Sequence, residues 1–215
     1  MKRVSFFKKF YYLLLEIIRE AAIKKQFNKY LNDICDNRFK INWSDRFIYL
    51  SDNTKDTFFD AHYIYHPAWA ARIVKELDYA KHIDISSTLH FSAIVSAFKT
   101  IEFYDYRPAN LQLSNLSTNF ADLNNLPFKD NSIQSLSCMH VIEHIGLGRY
   151  GDPLNPSADL KAMSELKRVI QIGGSLLIVV PVGKPRIQFN AHRIYSYELI
   201  TDFFFKDDIF KIKDF

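Results

Sequence analysis

The chain has 215 residues, 48% hydrophobic and 15% aromatic, enough for one core of ordinary size with an appended element. Its net charge of +4 is mild, and no basic run alternates with aromatics, which argues against a nucleic-acid groove. Two cysteines, Cys35 and Cys138, are too few for a disulfide scaffold or a zinc site of their own, and they fit a reduced, cytoplasmic setting.

Residues 1–30 predict one or two amphipathic helices, with Leu13, Leu14, Ile17, Ile18, Ala21 and Ala22 at roughly helical spacing. Basic residues there outnumber acidic ones eight to two. Two readings stand. One is a peripheral anchor on anionic lipid. The other, commoner one is a helix packed on the core with a solvated basic face. The apolar run 10–15 is far shorter than the roughly 18 residues that span a bilayer. Glu16 also interrupts it as a signal peptide. Residues 31–59 read as a connector with one short strand at 46–50. The expected division is therefore a helical extension over 1–60 and an α/β domain over 61–215.

Pro67 suits a first helical position, and Trp69, Ile73, Leu77 and Ala80 then share a face, so a helix is expected over 67–79. Strands are expected at 81–85, 101–105, 117–122, 135–139 and 175–180. Helices should lie between them at 91–99 and 156–170. The second should be capped by Asn155, turn Leu160, Met163, Leu166 and Val169 or Ile170 inward, and stop at Gly173-Gly174. A further helix is expected over 196–205. Alternation at this pitch predicts a doubly wound, mostly parallel sheet, with ligands at the carboxyl ends of its strands.

His140, Glu143 and His144 match H-x-x-E-H, a zinc-peptidase pattern that needs both histidines on one helix face. Here the run starts at a strand end, and Gly146, Gly148 and Gly151 break any long helix. A metal-dependent hydrolase is thus the weakest reading, and no metal ligands are expected.

LPFKDNSIQSLSCMHVIEHI resembles the L-P-F-x-D-x-S-F-D-x-V…h-x-L-E-H run of class I S-adenosylmethionine-dependent methyltransferases. ELKRVIQIGGSLLIVVP resembles their E-x-x-R-V-L-K-P-G-G-x-L-x-I-x-x-P run, and the matched order covers about residues 81–181. EHIGLGRYGD and PVGKPRIQFNAHRIYS are similar to a branch of bacterial methyltransferase-like proteins grouped as a domain of unknown function. Some members of that branch resemble proteins of sugar or surface-polysaccharide pathways.

The resemblance implies a Rossmann-like methyltransferase fold and S-adenosylmethionine as cofactor. Asp84 and Ser86 fall in the turn where that family carries D/E-x-G-x-G-x-G, with Ser86 at the first glycine. Glycine suits such a turn because it adopts positive φ without a Cβ penalty. Asp105 falls at the ribose acid, Asp122 and Leu123 at the adenine pair, and Met139 and His140 along the cofactor. Asp105 has a local alternative, pairing with Arg107 or capping a turn. Glu143, His144 and His192 are the catalytic candidates, with either histidine as general base. Arg149, Tyr150, Asp152, Asn190 and Arg193 would meet the acceptor. Structural roles compete: Glu143 could pair with Arg149 or Arg193, and His192 could pin its loop.

The family's sheet ends in an antiparallel hairpin, for which residues 209–215 supply one strand and not two. That predicts an incomplete hairpin, a truncated copy, and a sheet edge covered by the N-terminal helices, a partner or a second copy. Two functions follow. One is a methyltransferase acting on a small or glycan-linked acceptor. The other is a non-catalytic scaffold or regulatory subunit of a polysaccharide-assembly system that has lost cofactor binding.

Overall fold

In the computed structural model, which describes residues 3–33, 38–49, 52–205 and 210–213, the sheet is built around β1 (Lys81–Ile85). Four of its five residues are buried, as a central parallel strand requires. β1 pairs in parallel with β2 (Thr100–Asp105) and with β4 (Ile133–Met139). β3 (Leu116–Phe120) lies beyond β2, and β5 (Ile170–Val179) beyond β4. The order is β3-β2-β1-β4-β5, all parallel, and it reverses direction between β1 and β4. The doubly wound fold expected from the sequence is present.

Alternation along the strands divides the core. Ile83, Ile85, Leu136 and Cys138 pack with Ala162, Met163 and Leu166 of α4 (Ala158–Val169). Met139 and Ile101 pack with Ala70 and Val74 of α2 (Ala61–Glu76) and with Phe91 and Val95 of α3 (Leu89–Val95). Helices therefore cover both sheet faces.

α2 starts six residues before the expected position. Asp60 caps it, its carboxylate accepting the His62 amide at 3.0 Å and the Tyr63 amide at 3.3 Å. Pro67 thus lies inside the helix, not at its start. α4 is shorter than expected. Asn155 accepts the Ser157 amide at 3.0 Å and forms a turn leading into the helix rather than capping it directly. Met163, Leu166, Val169 and Ile170 are buried, whereas Leu160 is exposed.

Gly173-Gly174 does not stop α4. That helix ends at Val169, and the glycines lie within β5. Ile133 pairs with Ile170 while Ser135 pairs with Ser175, so the pair forms a bulge in β5. Gly173 takes φ +79°, and a Cβ on Gly174 would sit 2.9 Å from the Gln171 carbonyl oxygen and 3.0 Å from that of Gln134.

β6 (Arg186–Gln188) and β7 (His192–Ile194) form a separate antiparallel hairpin, followed by α5 (Tyr197–Phe205). Among the described residues no strand follows β7 and none joins the main sheet beyond β5. Residues 209, 214 and 215 of the expected last strand lie outside the described residues, as does Cys35.

The chain divides into two compact units, residues 1–59 and 60–215. In the first, α1 (Arg3–Asp33) is one continuous helix. Its C-terminal half meets a single 3-10 turn (Trp43–Asp45): Phe27 packs edge-on to Trp43 at 5.1 Å and the Lys24 ammonium lies 4.1 Å above the Trp43 ring. The Arg46 guanidinium pairs with Glu20 at 2.9 Å. Residues 46–49 are not a strand, and Leu50 is outside the described residues. Among the described residues no helix is long and apolar enough to cross a membrane.

The two glycines of the bulge should respond differently to alanine. Gly173→Ala meets no atom and costs only left-handed strain, about 1 kcal/mol. Gly174→Ala must displace three backbone carbonyls and should cost about 2–3 kcal/mol. Urea unfolding of both variants checks this, and equal losses would contradict the bulge.

Candidate functional site

The loops after β1, β2, β3 and β4 emerge side by side at the carboxyl end of the sheet. Hydrogen bonds knit them together. The Ser86 amide donates to the Tyr104 carbonyl at 2.8 Å, joining the tips of β1 and β2. The Ala121 amide donates to the Asp105 carbonyl at 3.1 Å, joining β3 to β2. The Met139 amide donates to the Ser87 hydroxyl at 3.1 Å, joining β4 to the turn after β1.

That turn carries serines where the resemblance has glycines. Ser86 sits at φ +55°, the left-handed region that glycine favours. Its hydroxyl bonds back to the Tyr104 carbonyl at 3.3 Å. Thr88 caps α3 by accepting the Phe91 amide at 3.4 Å.

Asp84 is fully buried beneath the turn. It accepts hydrogen bonds from the hydroxyls of Ser92 (2.7 Å), Ser137 and Ser87, and from the Ser87 amide. Its carboxylate therefore acts on any ligand only through the turn it holds. Desolvation raises its pKa to about 6, against the pull of those four donors. One residue pair down the same face, His82 lies between the Ser135 and Ser137 hydroxyls at 2.7 and 2.9 Å. Burial lowers its pKa to about 3.

Asp105 ends β2 with one oxygen, Oδ1, accepting the Arg107 amide at 2.6 Å. The turn-capping alternative is thus present, and Oδ2 remains available to a ligand. Asp122 similarly accepts the Asn124 amide at 2.8 Å, while Leu123 is buried in the core. Met139 is buried, and His140 follows it at φ +59°.

Glu143 and His144 occupy a single 3-10 turn (Ile142–His144), not a helix face. The Glu143 carboxylate is buried: Oε1 lies 2.7 Å from His140 Nδ1 and 3.9 Å from His144 Nε2, and Oε2 has no partner. It pairs with neither Arg149 nor Arg193. His144 Nδ1 donates to the Ala191 carbonyl at 2.6 Å, a carbonyl that Arg149 also reaches at 3.2 Å. Its Nε2 is then the unprotonated nitrogen. Burial, the largest cause, holds the ring below its ordinary pKa.

Tyr150 forms an aromatic rim with the Arg107 guanidinium 4.6 Å and the Arg149 guanidinium 5.2 Å from its ring. His144 packs edge-on against Tyr150 at 5.8 Å and His192 at 6.1 Å. Asn190 sits exposed in the β6–β7 turn at φ +64°. Two of the expected acceptor contacts are instead built into the scaffold. Arg193 is buried, donating to the carbonyls of Ile145 at 2.6 Å and Pro156 at 3.3 Å, and it lies 3.4 Å from Asp159. Asp152 accepts the amides of Gly146 and Tyr150 at 2.7 and 3.2 Å. Burial alone would raise its pKa, but these amides outweigh it and hold the carboxyl below the usual range.

α2 adds two residues that the sequence reading passed over. His62 and His66 lie one helical turn apart and meet His140, with ring centroids 4.2 and 5.0 Å from it. Desolvation, helped by their neighbouring imidazoles, lowers the pKa of both. The signal was His62-x-x-x-His66, obscured by taking Pro67 as a helix start.

Strand order, the tip-to-tip hydrogen bonds and the acid ending β2 define a Rossmann-like, doubly wound α/β domain. A family model described as "Caenorhabditis protein of unknown function, DUF268" matches residues 95–205, just over half of the chain, and the protein belongs to that family. An uncharacterized protein of Methanocaldococcus jannaschii is 30% identical over 95 residues, 44% of this chain and 33% of that protein. The match thus spans a third of that relative's length. A solved complex of the Haloferax volcanii Trm112 methyltransferase activator with a methyltransferase is similar at 17% identity and TM-score 0.48, with 67% of each chain covered. The YcgJ protein of Bacillus subtilis is similar at 17% identity and TM-score 0.47, covering 64% of this chain and 66% of its own.

The buried His82 and Asp84 pull stability in opposite directions with pH. His82, depressed to about 3, contributes stability that is present above its unfolded value of about 6.5 and is lost as pH falls through that window. Asp84, raised to about 6, contributes stability that is lost as pH rises from about 4 to 6. His82→Asn should therefore be less stable than the native protein at pH 7, with the gap shrinking as pH falls from 6.5 toward 3. Urea melts across that range test this, and a constant gap would contradict it.

Proposed function

We propose that this chain is a methyltransferase that binds S-adenosylmethionine at the tips of β1–β4 and methylates a small or glycan-linked acceptor, in surface-polysaccharide metabolism. The observation that carries the reading is the half-buried Asp105, one oxygen fixed by its own turn and the other free to accept from a ribose diol. Ser86 supports it, holding the left-handed backbone that a cofactor turn needs. Bound there, S-adenosylmethionine supplies an electrophilic methyl group for in-line displacement. The protein's part is positioning. Tyr150 offers a ring face, and Arg107 and Arg149 offer donors, a combination suited to a sugar-bearing acceptor. His144, neutral at pH 7 and bare at Nε2, takes the acceptor's proton. His192 borders the same rim.

A second reading, a non-catalytic scaffold, is favoured by one observation: the side chains of Ser86 and Ser87 turn inward and satisfy the protein's own groups. In that case α1, basic and with Tyr11, Leu14, Ile17 and Ile18 exposed, would provide the working surface, against anionic lipid.

Calorimetric titration with S-adenosylmethionine separates the two. The enzymatic reading expects saturable binding, weakened about tenfold to a hundredfold by Asp105→Ala, the loss of a charged hydrogen bond. No saturable binding at millimolar cofactor, or no effect of Asp105→Ala, rejects it. The scaffold reading expects a folded protein without cofactor affinity that sediments with anionic vesicles.

A further inference from the structure

Three imidazoles converge where α2 crosses the end of β4. His62 and His66 project from one face of α2, and His140 reaches them from the strand tip. One ring nitrogen from each lies within 4.8 Å of the others. Hydrogen bonds settle which nitrogen is bare. His66 Nδ1 donates to the His62 carbonyl at 2.7 Å, leaving Nε2 with its lone pair. That Nε2 is buried and has no hydrogen-bond partner. His140 Nδ1 donates to Glu143 Oε1 at 2.7 Å, so its Nε2 is bare as well, and it faces His62 Nε2 directly. His140 adopts φ +59° while aiming its ring this way.

We propose that His62, His66 and His140 bind one divalent transition-metal ion, zinc by chemical preference, through their three Nε2 atoms. Three neutral imidazoles suit a borderline cation, and the absence of oxygen ligands in this set disfavours calcium or magnesium. A carbonyl behind His66 and a buried carboxylate behind His140 are the supporting contacts that metal-bound histidines characteristically have. A tetrahedral ion held by three protein ligands keeps a fourth position open. His62 is exposed, so that position faces solvent and would take water or an oxygen of a small ligand. The set differs from the H-x-x-E-H pattern: His144 is engaged elsewhere, and Glu143 supports a ligand without being one. This site does not depend on cofactor binding.

The test uses the full-length protein, stripped with chelator and dialysed against zinc, with metal content read by elemental analysis. One equivalent of retained zinc is expected, together with a zinc-dependent rise in melting temperature. Cobalt(II) in its place should give the visible absorption of a four-coordinate nitrogen site. His62→Gln, at the exposed ligand and thus least disruptive to folding, should lose stoichiometric zinc, while His90→Gln, an exposed histidine on α3, should keep it. Glu143→Gln should weaken zinc affinity about tenfold to a hundredfold. Native protein that takes up no zinc, which would leave a hydrogen-bonded imidazole pair, overturns the proposal. So does a His62→Gln protein that binds as much zinc as the native one.

Discussion

The buried carboxylate of Asp84 is the constraint on which the site end of the domain depends. A carboxylate removed from water must be compensated, and here the compensation comes from three separate segments: Ser87 in the turn after β1, Ser92 on α3 and Ser137 on β4. Satisfying one charge therefore fixes the helix, the turn and the neighbouring strand against one another. His82 repeats the arrangement one step lower with Ser135 and Ser137. Polar residues occupy a face that in most parallel sheets is filled by aliphatic side chains, and register between β1 and β4 is specified by hydrogen bonds as well as packing.

The sheet was legible because its strands are short apolar runs separated by helices at a regular pitch, and β1 matches the expected bounds residue for residue. Errors arose where one residue type serves two purposes. Pro67 suggested a helix start because proline usually fits there, yet Asp60 supplies a better cap. Gly173-Gly174 suggested a helix stop, although glycine equally permits a bulge. Of the site, the strand pattern put Asp105 and Met139 at the ends of their strands, while the roles expected of them came from the family resemblance. The partners of Arg193 and Asp152 could not, since each depends on loop carbonyls and amides that only the folded chain brings near. The histidine pair on α2 lay outside the run of family-like motifs altogether.

Serine in place of glycine has a structural logic in this turn. Ser87 gives its hydroxyl to Asp84 and accepts the Met139 amide, so the substituted side chain bridges β1 and β4. Ser86 bears the left-handed conformation and offsets part of its strain by bonding to the Tyr104 carbonyl. The loop is thus stiffened rather than opened, and a ligand would meet a preformed surface that needs little ordering on binding.

Pro67 gives α2 an asymmetry along its length. With no amide hydrogen at that position, the Tyr63 carbonyl lacks its helical donor, while the segment beyond is anchored by Ala70 and Val74 in the core. The first two turns are therefore joined to the rest by one backbone bond fewer, a natural weak seam. Both α2 imidazoles precede that seam, whereas Ala70 and Val74, the residues docked in the core, follow it, so the histidines stand on the stretch of helix that Asp60 caps.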